Sequence, residues 1–363
     1  MRRMRCKWSQ QIQIVTIFAG LLVARTATAQ AALPLPCNSG DRQCAFQAVS
    51  KHVARNSAFW KDALSEPPAK RIGRASPELI QMMALDNISQ GVDEKPRAVD
   101  LDDKFALDVQ NAFETLPAQM KALLSSKLAG IYFLAGLGGT GFTNAVYNDN
   151  GKPVAGFIVL DAEVLSRQVA NSWATWKENT PFKPDPKFHL EAELEAAGQN
   201  TRQAAIQYIM LHELGHVVSI GENFHPPWAL PPQFVPSLAS YPFTSLSWRL
   251  SDDRNKYVTL FDNNFKQRTN VVYYFGAQLD AEEMVPSYSM LESTNFPTLY
   301  AATRPGDDFA ESFVSYVHTV LMKRPFSIRI YVKNKIAKTF EACWDQARCR
   351  EKRKILDQLF NRQ

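Results

Sequence analysis

The sequence of 363 residues predicts an α+β fold that is predominantly helical. Three observations point to it. Apolar residues recur at helical spacing through residues 30–128, and short glycine-bounded segments rich in β-branched and aromatic residues begin at 129. Two further helical patterns follow, one beginning after Asn200 or Thr201 and one running from Thr303 to Met322.

Residues 1–29 read as a secretory signal peptide. Arg2, Arg3, Arg5 and Lys7 precede the apolar run "IQIVTIFAGLLVA", which is too short to span a bilayer as a mature helix. Ala27-Thr28-Ala29 is a small-residue cleavage site that puts the mature start near Gln30, and "LPLP" before Cys37 is not a lipobox. The expected product is an exported soluble protein, periplasmic or secreted. Cleavage removes five basic and no acidic residues, so 41 Lys and Arg become 36 against 36 Asp and Glu. The mature chain is near neutral and carries no electrostatic footprint for nucleic acid.

Cys37, Cys44, Cys343 and Cys349 remain, an even set that in an exported chain predicts two disulfides. Local pairing, Cys37 with Cys44 and Cys343 with Cys349, is the simplest of three connectivities. It requires a break between Cys343 and Cys349, because positions six apart on one helix point to different sides. The alternative links the two ends of the chain. Neither spacing fits a zinc knuckle.

The layer at 30–128 contains "CAFQAVSKHVARNSAFWKDAL" and "SPELIQMMALDNIS", joined by the turn-rich "SEPPAKRIGRA". "DDKFALDVQNAFETL" and "PAQMKALLSSKLA" continue it, with Pro117 suited to a helix start. Then "GIYFLAGL", "GTGFTNAVY" and "KPVAGFIVLD" read as strands, with a hairpin turn at Asn148 to Gly151. The glycines of "GLGGTGFTNAVY" lack the Lys-Ser/Thr ending of a phosphate loop. Asn200 or Thr201 caps the next helix. Residues 221–300 are too dense in proline for one regular element and read as cleft wall or packed scaffold.

"TRPGDDFAESFVSYVHTVLM" is the second late helix, with Thr303 near the cap, Pro305 in the first turn, and Asp307 and Asp308 complementing the helix dipole. Residues 323–363 form a basic, helical C-terminal segment with twelve Lys or Arg against four Asp or Glu. That run reads as a solvated face, or as a weak contact with anionic envelope surfaces.

The chemistry centres on His212-Glu213-Leu214-Gly215-His216. In a helix, positions i and i+4 share a face, so His212 and His216 can present two imidazoles to one Zn²⁺. Glu213 lies one residue round, placed to take a proton from metal-activated water and pass it to a leaving amine. The apolar flanks "IQYIML" and "VV" suit a buried active-site helix.

Three residues compete for the third ligand. Glu222 sits six residues after His216, where the pattern His-Glu-x-x-His-x-x-Gly-x-x-His ends, but Ser219 replaces the glycine and Glu the histidine. His225, flanked by Pro226 and Pro227, fits no pattern. Glu311 lies on the second late helix. There Phe309, Phe313, Val317 and Val320 can form a packing stripe, with Asp307, Asp308, Glu311, Ser315 and His318 near another face. Asp308 or His318 could orient the ligands from behind.

The HELGH helix followed by Asp308-Phe309-Ala310-Glu311 resembles the gluzincin group of zinc metallopeptidases, in particular its anthrax lethal factor-like branch, over about residues 130–320. The resemblance implies a zincin-like region at 129–322, with His212, His216 and Glu311 holding one Zn²⁺ per chain and Glu213 as general base. It further implies a tyrosine near the second helix that stabilises the oxyanion. Tyr300 is the nearest match, with Tyr288 close in sequence. The departure from the group is length, since 94 residues separate His216 from Glu311. Zincins line the cleft with an edge strand that pairs with extended peptide, a place Gly141 to Tyr147 could fill. The expected activity is zinc-dependent hydrolysis of peptide bonds in a peptide or protein substrate. The alternative is an envelope binding or scaffolding protein with a structural or vestigial zinc.

Overall fold

A computed structural model describes residues 33–361 apart from 229; the expected signal segment and its Ala29–Gln30 junction lie outside these residues. Helix α1 (Arg42–Ser50) is capped by Asp41 and stapled at its start by the Cys37–Cys44 disulfide. Helix α2 (Lys61–Ser65) and strand β1 (Ile72–Arg74) follow. Helix α3 (Pro77–Gln90) has Ser76 at its N-cap, proline in its first turn and left-handed Gly91 at its end. Helices α4 (Asp103–Glu114) and α5 (Ala118–Leu124) lead into the sheet.

Strands β2 (Leu128–Leu134), β3 (Gly141–Tyr147) and β4 (Pro153–Asp161) join β1 in the order β1-β2-β4-β3. The first three are parallel; β3 runs antiparallel to β4 and lies at the edge. Strands β2 and β4 are nearly continuous apolar runs because both faces of the sheet are covered. On β4, Phe157 and Val159 join the cluster of Trp60, Leu79 and Met82, while Ile158 and Leu160 join that of Phe105, Leu211 and Leu214. The N-terminal portion gives the sheet a strand and sends residues into both clusters, Trp60 and Leu79 on one face and Phe105 and Val109 on the other.

Helices α6 (Ala162–Ser166) and α7 (Ala170–Asn179), strand β5 (Phe188–Glu193) and helix α8 (Arg202–Ser219) come next. Thr201 caps α8, and Arg202 ties it to Asp108 of α4 at 2.7 Å. The proline-rich stretch beyond it holds a small antiparallel pair, β6 (Trp248–Leu250) with β7 (Tyr257–Thr259), and then α9 (Met284–Leu291). Helix α10 (Pro305–Tyr316) continues as one π-helical turn over Val317–Leu321.

Helices α8 and α10 cross at the glycine of HELGH. A Cβ on Gly215 would lie 3.0 Å from the Ala310 Cα and 3.2 Å from the Phe313 Cβ, so only glycine lets the two helices approach this closely.

The C-terminal segment departs from the expected helix. Strands β8 (Ser327–Val332) and β9 (Lys335–Glu341) form a hairpin, and β8 pairs with β5 to complete a three-stranded antiparallel sheet. Lys333 and Asn334 both take left-handed φ in the two-residue turn. Only then does α11 (Arg350–Asn361) begin, after the break that the Cys343–Cys349 disulfide requires. The basic excess meets acidic partners upstream: Arg324 pairs with Glu195, Arg329 with Glu193 and Lys338 with Glu292. Lys352 of α11 reaches Asp308 of α10 in a fully buried ion pair at 2.5 Å. No helix among the described residues is long and apolar enough to cross a membrane.

Candidate metal centre

Helices α8 and α10 each offer two polar residues one turn apart, and the pairs face each other. His216 Nε2 lies 3.7 Å from Asp307 Oδ1, and His212 Nδ1 lies 2.9 Å from Glu311 Oε1. The helices are therefore antiparallel at the site. The two imidazole centroids are 5.0 Å apart. His212, His216 and Asp307, each half-buried, offer ligand atoms within 4.8 Å of one another.

The predicted third ligand, Glu311, lies in this cluster against His212. Glu311 is buried, with Oε1 accepting from His212 Nδ1 and from Lys177 Nζ at 3.1 Å, and Oε2 accepting from Thr298 at 2.6 Å. Burial would push its carboxyl up, but Lys177, His212 and Thr298 outweigh burial and bring it down to about 2. Asp307 is the carboxylate that faces His216; burial raises its carboxyl against the pull of His212 and Arg304.

The alternatives weighed for the third position are engaged away from it. Glu222 pairs with Lys127 at 2.7 Å. His225 spends Nε2 on Ser219 Oγ and Nδ1 on the Pro226 carbonyl, each at 2.8 Å, and burial brings it down to about 4. The two expected orienting groups are likewise occupied. Asp308 accepts from Lys352 and from Trp248 Nε1, and His318 bonds the Leu194 and Pro325 carbonyls. Glu311, by contrast, lies against His212 itself.

Burial and the neighbouring His212 push His216 well below the usual imidazole range, so its ring is neutral. Burial would lower His212 too, but the Glu311 contact raises it. His216 Nδ1 is buried with no hydrogen-bond partner. Two imidazoles and one carboxylate with ligand atoms this close fit a divalent transition metal, and three protein donors leave a position open.

Glu213 sits between this group and the sheet edge. Its Oε2 accepts from Thr143 Oγ1 on β3 at 2.6 Å, and burial raises its carboxyl against the opposing pull of His212 and Thr143. A Cβ on Gly141 would come within 3.0 Å of Glu213 Oε1, so glycine there leaves that oxygen room. The ring of Tyr300 stacks near that of His212, with centroids 5.7 Å apart. Tyr288 is fully buried and gives its hydroxyl to Glu178, away from the histidines.

Two cavities, of about 580 and 790 Å³, meet at Gly141, Phe142, His212, Glu213 and Tyr300. One runs on past Thr143, Trp228 and Asp307; the other runs past Lys177 to Trp176, Tyr274 and Phe275, three aromatics that are substantially exposed. Trp228 lies edge-on to His216 at 5.2 Å.

The motif histidines, Glu213, Tyr300 and the β3 edge lie together where the two cavities meet. Asp307 is met by its i, i+4 relation to Glu311, a signal visible in "DDFAE" that does not tell which carboxylate faces the histidines. Lys177, Thr298 and Thr143 carry no motif and arrive through tertiary packing. No protein-family model, curated protein or solved structure matches the chain.

Proposed function

We propose that the chain is an exported zinc-dependent peptidase whose single zinc is held by His212, His216 and Asp307. Glu311, the expected ligand, acts instead through His212 Nδ1, fixing the ring so that Nε2 is free to ligate. When bound, zinc supplies Lewis acidity that polarises a carbonyl and makes water a better nucleophile.

The remaining work belongs to side chains. Glu213, its Oε2 held by Thr143, takes the proton of the attacking water and delivers it to the leaving amine. Burial raises its carboxyl, which suits a group that must gain and lose a proton near neutral pH. Tyr300 is pushed well above the usual phenol range by burial and stays protonated, so its hydroxyl can donate to the developing oxyanion.

An extended peptide would pair with the edge of β3 ahead of Tyr147, which itself bridges Asn56, and run through both cavities. The exposed ring cluster of Trp176, Tyr274 and Phe275 favours a bulky apolar side chain on one side of the cleaved bond.

The observation that carries this reading is the position of Glu213: a buried carboxylate between a sheet edge and two histidines faced by Asp307. The alternative, a scaffolding protein with a structural zinc, gives such a carboxylate no role. The test compares mature wild type with Glu213→Gln for zinc content and for cleavage of a fluorogenic peptide library. Both are expected to hold one zinc, with cleavage by wild type alone and its loss on chelation. Equal cleavage by Glu213→Gln, or none by the zinc-loaded wild type, would overturn the proposal.

A further inference from the structure

We propose that Lys177 is a positioning residue of the metal centre, pinning Glu311 so that Glu311 can hold His212 in the ligating tautomer. This rests on the reading of His212 as a ligand.

Lys177 comes from α7 and is buried, its side chain 4 % exposed. Its ammonium donates to Glu311 Oε1 at 3.1 Å and to Glu178 Oε1 at 3.2 Å, and lies 4.9 Å from the centroid of the Tyr300 ring. Glu178 is fixed in turn, its Oε2 accepting from the hydroxyls of Tyr273 and Tyr288, each at 2.8 Å. The result is a continuous chain from two core tyrosines through Glu178, Lys177 and Glu311 to His212, with no link longer than 3.2 Å.

Stability alone explains this arrangement poorly. Apolar residues of the same volume often replace a buried ion pair at no loss, because desolvation offsets the Coulomb gain. What an apolar filler cannot do is fix a carboxylate. Glu311 Oε1 is shared between Lys177 and His212 while Oε2 is held by Thr298, so both oxygens have a set direction. Removing Lys177 leaves Oε1 with His212 alone and frees the carboxylate to turn. Lysine suits the position as a compact charge with three donors, able to serve two carboxylates while facing an aromatic ring.

The test is a double-mutant cycle read by zinc affinity, using competition against a chromophoric chelator on the mature chain. Lys177→Met should weaken zinc binding about tenfold, the lower end of the effect of outer partners of metal ligands. In a Glu311→Gln background, where the anchored carboxylate is already gone, the same substitution should change the affinity less than about twofold. A merely structural lysine would lower the melting temperature and leave zinc affinity unmoved.

Lys177→Met leaves two carboxylates adjacent in the core, so the cycle is repeated with Glu178→Gln in every variant, which restores the charge balance. Unchanged zinc affinity in Lys177→Met, or equal weakening with and without Glu311, would overturn this proposal while leaving the peptidase reading intact. Failure of the wild type to bind zinc would overturn both.

Discussion

Replacing Asp307 by alanine should weaken zinc binding far more than replacing Glu311. Apparent binding free energies of about 10–16 kcal/mol for four-ligand structural zinc sites correspond to roughly 2.5–4 kcal/mol per ligand. At about 1.4 kcal/mol for each factor of ten, Asp307→Ala should cost about 10²- to 10³-fold in affinity. Glu311 meets His212 at Nδ1, the ring nitrogen the proposal leaves off the metal, so Glu311→Ala should cost about 10- to 100-fold, as outer partners do. Chelator competition at fixed pH measures both. An independent check is the zinc-induced rise in melting temperature, which shrinks as the dissociation constant rises. If Glu311→Ala abolished binding while Asp307→Ala bound as tightly as wild type, the assignment of the two carboxylates would be refuted.

Three further outcomes follow from the packing around the site. Lys352→Met should cost about 3–5 kcal/mol in urea denaturation, because it leaves Asp308 as an uncompensated buried charge. The double variant Lys352→Met/Asp308→Asn should recover much of that, and a cost under about 1 kcal/mol for the single variant would count against the pair. Glu213→Gln should raise the stability of the zinc-free protein at pH 7. The folded carboxyl is raised by burial and so binds its proton more tightly than the unfolded one; folding is favoured at low pH and penalised as pH rises through the raised value. The gain from glutamine should therefore fade towards about pH 4, and a gain that persists there would contradict the sign. Replacing Cys343 and Cys349 by serine opens a short closed loop and should cost about 2 kcal/mol by the same denaturation, with no loss contradicting a stabilising link.

What the sequence made legible is what local periodicity encodes. The spacing of His212 and His216 places two imidazoles on one face whatever the surroundings, and "GTGFTNAVY" is bounded by glycines and rich in β-branched and aromatic residues as a strand is. Asp307 and Glu311 share a helical face for the same reason. Which histidine each of them meets depends on where α10 crosses α8, at the Gly215 contact with Ala310 and Phe313. Lys177 reaches Glu311 across 134 positions of chain, a relation no local pattern carries.

The C-terminal hairpin was legible but hidden by charge. Buried Ile328 and Ile330 alternate with half-buried Arg329 and Tyr331, and Lys-Asn makes the turn, yet twelve cations in the segment draw the eye to a solvated helix. Strand β1 has only three residues, too few for a period to register.

The most direct test is a crystal of the mature protein grown with zinc, with anomalous differences recorded on both sides of the zinc absorption edge. One strong peak is expected per chain, within bonding distance of His212 Nε2, His216 and an Asp307 oxygen, with Glu311 still on His212 Nδ1. A peak bonded to Glu311 with Asp307 turned away would contradict the assignment, and zinc absent from both histidines would contradict the metal centre itself.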